Sequence, residues 1–170
     1  VRERIAFSGE PITAEKFLEA YHDVLPIIEI VDARSVAEGG PRMTYFEVLV
    51  AVAYAAFADA PVDVAIVEVG LGGSWDATNV ADGSVAVVTP IALDHQHFLG
   101  NDVVDIATEK SGIIKADSLA VLGVQEPDVA QILADSAAEG GARLAIEGND
   151  FGLLTLDVGV GVQQIASSAT

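Results

Sequence analysis

The chemistry most legible in this sequence lies in polar residues set at the ends of apolar runs. Glu68 is the last polar residue of the run 62–69, just ahead of Gly70-Leu71-Gly72-Gly73. Asp94 and His95 follow a second apolar run, residues 84–89, beyond Pro90. A carboxylate and a neutral imidazole brought together suit a divalent cation, with Mg2+ or Mn2+ favoured by the oxygen ligand. Each residue alone also has a plainer reading: Glu68 as a paired structural acid, His95 as a structural or surface histidine, Asp94 as a loop or helix cap. His97 has no evident partner, and His22 falls on a helix-like segment, so neither is assigned a role.

The glycines at 70–73 invite comparison with phosphate-binding loops. No Gly-x-x-x-x-Gly-Lys-Ser/Thr occurs in the chain, and Trp75 stands where the third glycine of Gly-x-Gly-x-x-Gly belongs. A tight turn that lets backbone approach closely is therefore the favoured reading. The lysines are Lys16, Lys110 and Lys115. Lys110, beside Glu109 near a helix end, reads by default as a solvated helix charge.

For Glu68 and His95 to converge, the runs 62–69 and 84–89 must be neighbouring strands of a parallel sheet, where ligands bind beyond the carboxyl ends. The β-branched run 62–69 suits a parallel strand covered on both faces. Shorter strands are expected at 119–123 and 143–146, with helices at 103–111 and 128–138 between them. That alternation implies βαβ units and a mostly parallel sheet flanked by helices, an α/β fold. Ahead of the sheet, residues 13–24 have helical spacing and Pro26 is expected to interrupt them, with a kinked continuation to residue 36. Thr44-Tyr45-Phe46-Glu47 has capping-box spacing and should open a helix running to about residue 58. Residues 1–7 read as a strand end before a turn at 8–11, and the alternating tail 151–165 as a β-hairpin at an edge.

With 170 residues, of which 51% are apolar, the chain suits one globular domain and not a disordered segment. No apolar run approaches the roughly 20 residues that span a membrane; the longest, 48–58, reads as a buried helix. Residues 1–4 carry no signal-peptide pattern. The absence of an initiator Met suggests processing or an excised segment. Cysteine is absent, which excludes disulfides and thiolate metal sites and fits a cytoplasmic protein. The net charge of −18, from 26 acidic and 8 basic residues, argues against nucleic acid or an anionic membrane as partner. The acids are spread along the chain, which favours a solvated surface over a dedicated cation-binding face. Anionic substrates would then need local cations.

Taken in order, Thr44-Tyr45-Phe46-Glu47, Glu68-Val69-Gly70-Leu71-Gly72-Gly73, Asp76-Ala77-Thr78-Asn79, Leu93-Asp94-His95, Leu99-Gly100 and Glu109-Lys110-Ser111-Gly112-Ile113-Ile114 closely resemble the folylpolyglutamate synthase/dihydrofolate synthase family of the Mur ligase superfamily. Glu3-Arg4-Ile5 and Gly9-Glu10-Pro11-Ile12 resemble the segment after that family's substrate loop. The resemblance is close over residues 1–125 and weak beyond. It implies a Mur ligase-like central domain and an ATP-dependent ligase that joins L-glutamate to dihydropteroate or to folate polyglutamates through an acyl phosphate. It also implies Glu68 and His95 as Mg2+ ligands. Lys110 matches a lysine carbamylated in the family, hence a metal-binding and catalytic position alongside His95. Phe46 and Asp76 match pterin-contacting positions, Phe46 by stacking and Asp76 by hydrogen bonds, although Phe46 also reads as a core residue of the first helical turn.

Three departures qualify the resemblance. The family's Gly-Thr-Asn-Gly-Lys-Gly-Ser-type phosphate loop is expected before Val1 and is missing, and so is the carboxy-terminal domain. Ser74 stands where the family usually has Arg. Residues 1–170 are accordingly expected to form a partial central domain that does not hydrolyse ATP alone. The competing readings are a non-catalytic remnant or pterin/Mg-binding module, and an unrelated doubly wound phosphatase or nucleotide binder.

Overall fold

Thr44 and Glu47 start a helix in the way their spacing predicts. In the computed structural model, which describes residues 1–60, 62–93, 102–158 and 162–169, the Thr44 Oγ1 accepts from Glu47 N at 3.2 Å. In return Glu47 Oε2 accepts from Thr44 N at 2.6 Å. Such a box satisfies amide donors that the first turn leaves without partners, for about 1 kcal/mol.

The contacts divide the chain into two compact units, Val1–Gly70 and Leu71–Thr170. In the first, a 3-10 turn, Arg2–Arg4, leads into β1 (Ala6–Phe7), which pairs antiparallel with β2 (Glu10–Pro11). Ser8 and Gly9 take positive φ between them. Helix α1 (Ala14–Ala37) is capped by Thr13. It runs through Pro26 without interruption, so the expected break is corrected. Proline removes one amide donor and crowds one carbonyl, and 24 residues of helix supply enough flanking turns to hold the register. Helix α2 (Tyr45–Asp59) packs on α1. Leu49, Val52 and Ala56 bury with Ala20, Ile5 and Ile12, against Phe17, Tyr21 and Val24.

Residues 62–69 form no strand among the described residues, contrary to expectation. They run on from α2 with side chains largely exposed, Val64 at 77% and Ile66 at 92%. A β-branched run states a preference for a pleated, half-buried surface, and that preference is realised only when ladder partners and cover are present.

In the second unit β3 (Val85–Val88), β4 (Leu119–Leu122) and β5 (Arg143–Ile146) form a parallel sheet in that order. Helix α3 (Val103–Ser111) lies between β3 and β4 in the chain, and α4 (Pro127–Glu139) between β4 and β5. Val129, Leu133 and Ala137, four apart on α4, are fully buried. They meet Ala86, Val88, Ala120 and Leu122 from one sheet face, together with Ile106 and Ala107 of α3. On the other face of β3, Val85 and Val87 are 53% and 61% exposed among the described residues, so the strand is buried on one side. β6 (Phe151–Val158) and β7 (Val162–Ala169) pair antiparallel as the expected hairpin, in a sheet of their own. Among the described residues no helix is long and apolar enough to cross a membrane.

Candidate functional site

Asp76 organises the glycine loop. It caps a 3-10 turn, Ala77–Val80. Its Oδ1 accepts from the Thr78 amide at 2.9 Å and from the Thr78 hydroxyl. Its Oδ2 accepts from Leu71 N at 2.9 Å, which draws the start of the loop onto its end. The residue is buried. A carboxylate out of water needs such donors to remain charged. Three of its roughly four acceptor positions are filled from within the chain, which leaves about one for a ligand donor.

The loop is docked on the carboxyl end of α3. Glu109 Oε1 accepts from Gly73 N and from Trp75 N, both at 3.2 Å. The Glu109 carbonyl accepts from Ser74 N at 3.0 Å and from Ser74 Oγ at 3.1 Å. Asn79 Nδ2 donates to the carbonyls of Ser74 and Gly112, and Lys115 Nζ donates to the Asn79 carbonyl. Only glycine fits at position 73: a Cβ there would lie 2.4 Å from the Glu109 carbonyl oxygen and 2.9 Å from Lys110 Cα. Lys110 itself sits half-buried in the last turn of α3, where the helix dipole favours a cation.

Asp76 and Lys110 thus belong to one docked assembly. Phe46 and Glu68 belong to the other unit, Val1–Gly70. Phe46 is half-buried in the first turn of α2, and its ring lies against Gly70, where a Cβ would come within 2.3 Å of Phe46 Cζ. Glu68 is exposed. Asp94, His95 and His97 lie outside the described residues, as does Leu99-Gly100. The stretch leading to them is held in place: Gln125 accepts from Ile91 N at 2.9 Å and donates to the Thr89 carbonyl at 3.0 Å, bracketing Pro90 at the carboxyl end of β3. Among the described residues no three His, Cys, Asp or Glu side chains gather as a metal cluster.

Sequence reasoning overlooked Glu109, Asn79 and Gln125. Their contacts span 33 to 36 positions. The one available signal was that Glu109 and Asn79 stand inside motifs that also hold Lys110 and Asp76.

A parallel sheet with helices between its strands, and a glycine loop docked at the end of one of those helices, place the chain among α/β proteins. No protein-family model matches the chain. Its similarity to individual proteins is nonetheless extensive. A dihydrofolate synthase/folylpolyglutamate synthase of Mycobacterium tuberculosis is 46% identical over 170 residues, 95% of this chain and 35% of that protein. A structure of Mycobacterium tuberculosis folylpolyglutamate synthase complexed with ADP and AMPPCP superposes with a TM-score of 0.89 at 45% identity, covering 98% of this chain and 38% of that one. A folylpolyglutamate synthase–AMPPCP–folate complex gives 0.87 at 35% identity, over 99% of this chain and 40% of that one. The chain is homologous, over nearly all of its length, to the dihydrofolate synthase/folylpolyglutamate synthases, and spans about a third of the length of the curated relative it matches.

Proposed function

We propose that this chain is part of an ATP-dependent ligase that joins L-glutamate to dihydropteroate or to folate polyglutamates. The observation that carries the reading is the match, across nearly the whole chain, to a folylpolyglutamate synthase structure holding ADP and AMPPCP. In the reaction, a carboxylate oxygen of the pterin substrate attacks the γ-phosphorus of ATP and releases ADP. The glutamate amine then attacks the acyl carbon, phosphate leaves with the C–O bond electrons, and the nitrogen loses a proton to give the amide. Such chemistry rests chiefly on positioning and on neutralising phosphoryl charge.

In this proposal the Phe46 ring stacks on the pterin, and the remaining acceptor position of Asp76 takes a donor from the pterin edge. Glu68, an exposed carboxylate outside every ion pair among the described residues, fits the hard oxygen ligand that Mg2+ prefers. His95 would join it. Lys110 as an ammonium has no lone pair to offer a metal; its amine, once deprotonated, adds to CO2 and loses a proton to become a carbamate, which has oxygen donors. When bound, Mg2+ would offset phosphate charge in a chain whose own charge is −18. The compartment that suits this chemistry is the cytoplasm.

The test is calorimetric titration of dihydropteroate, paired with an assay of substrate-dependent ADP release by the natural gene product. Binding with release supports the ligase. Binding without release leaves a pterin-binding module. Neither binding nor release refutes both.

A further inference from the structure

We infer that Glu109 is a positioning residue, whose carboxylate fixes the glycine loop and so sets the placement of Asp76 relative to Lys110. The inference rests on the reading of Asp76 and Lys110 as site residues, and goes beyond it by naming the group that holds them in register. Two independent observations carry it. First, a single oxygen of Glu109 accepts from the amides of both Gly73 and Trp75, while its own carbonyl accepts the amide and hydroxyl of the residue between them, Ser74. Three consecutive loop residues are therefore held by one side chain and its backbone. Second, the contact is close to the limit of packing. A Cβ on Gly73 would meet the Glu109 carbonyl at 2.4 Å, and one on Gly72 would meet Glu109 Oε1 at 3.0 Å.

A carboxylate that accepts backbone N–H bonds does so with charge-assisted strength. It lies immediately before Lys110 in α3, so any movement of the loop is referred directly to the backbone that carries the lysine. Asp76 follows Trp75 in the chain and draws Leu71 back onto itself. The segment 71–76 is thus closed by Asp76 and anchored by Glu109. Glu109 touches no reacting atom in this account; it acts through the loop.

The test uses the full chain with Glu109→Ala and Glu109→Gln, since the glutamine amide oxygen still accepts from both amides. Hydrogen exchange at Gly73 and Trp75 is measured against Ala120 and Leu122 of β4, together with emission from Trp75, the chain's one tryptophan, and dihydropteroate affinity. Glu109→Ala is expected to speed exchange at Gly73 and Trp75 about tenfold, or about 1.4 kcal/mol, leaving Ala120 and Leu122 unchanged. It should also shift Trp75 emission and weaken dihydropteroate by about the same factor. Glu109→Gln should stay within about twofold of the parent in each. Unchanged exchange in Glu109→Ala overturns the inference. Faster exchange with unaltered dihydropteroate affinity overturns it as well, leaving a purely structural contact. If the parent chain binds no dihydropteroate, exchange and Trp75 emission still decide whether Glu109 sets the loop, while the proposed function is judged on the natural gene product.

Discussion

Gly112 and Ser74 meet without room for one further carbon: a Cβ on Gly112 would lie 2.1 Å from Ser74 Oγ and 2.7 Å from Ser74 Cα. Gly112 ends α3 in right-handed helical geometry, with φ −61, so the glycine is required here by space and not by backbone conformation. Ser74 turns its hydroxyl to the Glu109 carbonyl, so the position serves the docking of the loop.

Replacing Gly112 with Ala should therefore destabilise the protein by about 1–3 kcal/mol, as overpacking does, despite the better helix propensity of alanine. Urea denaturation measures it. A variant as stable as the parent would show that the loop yields freely at Ser74.

Removing the Thr44 hydroxyl should cost about 1 kcal/mol, because Glu47 N then loses its acceptor at the start of α2. Thr44→Ser should retain most of the stability. The paired midpoints in thermal unfolding test the assignment, and equal losses in both variants would contradict it.

Phe46→Ala separates two roles for the ring that lies on Gly70. If the ring stacks on a pterin, dihydropteroate affinity should fall about tenfold, in keeping with about 0.5–1.5 kcal/mol for an aromatic pair. A core role predicts instead a loss of about 3–5 kcal/mol in stability. Calorimetric titration beside urea denaturation distinguishes the two.

Asp76→Asn tests the closure of the loop. The amide nitrogen that replaces one carboxylate oxygen cannot accept, so either Leu71 N or both Thr78 donors lose their partner. Stability should drop by about 1–3 kcal/mol, with faster hydrogen exchange at Leu71 or Thr78. Parent-like exchange at both amides would mean that the carboxylate does not hold the loop.

Much of the second unit was legible in the residues. The expected helix 103–111 is α3, and the expected strand 143–146 is β5. The sheet is parallel, in the order that βαβ units imply. The capping box at Thr44 is formed because its two partners are three positions apart and need nothing else from the chain. Where the reading failed, distant structure decided. Pro26 was expected to interrupt and kink a helix that runs through it unbroken. Residues 62–69 have the composition of an interior strand and lie largely exposed.

The candidate site divides in the same way. The ordered motifs pointed to Asp76 and Lys110 only through the family resemblance, and homology over nearly the whole chain bears out that resemblance. Glu109 entered only as the motif neighbour of Lys110, because its partners Gly73 and Trp75 stand 36 and 34 positions away.

By itself, then, the sequence determined what depends on neighbours within a few residues: the caps, the helical and strand periods, the alternation that yields a parallel sheet, and the motifs of the family. Only the tertiary structure decided which carboxylate holds the loop, why positions 73 and 112 admit only glycine, and which strand face is covered. Those outcomes depend on hydrogen bonds and excluded volume between segments far apart in the chain. Such terms exist only once folding has brought the segments together.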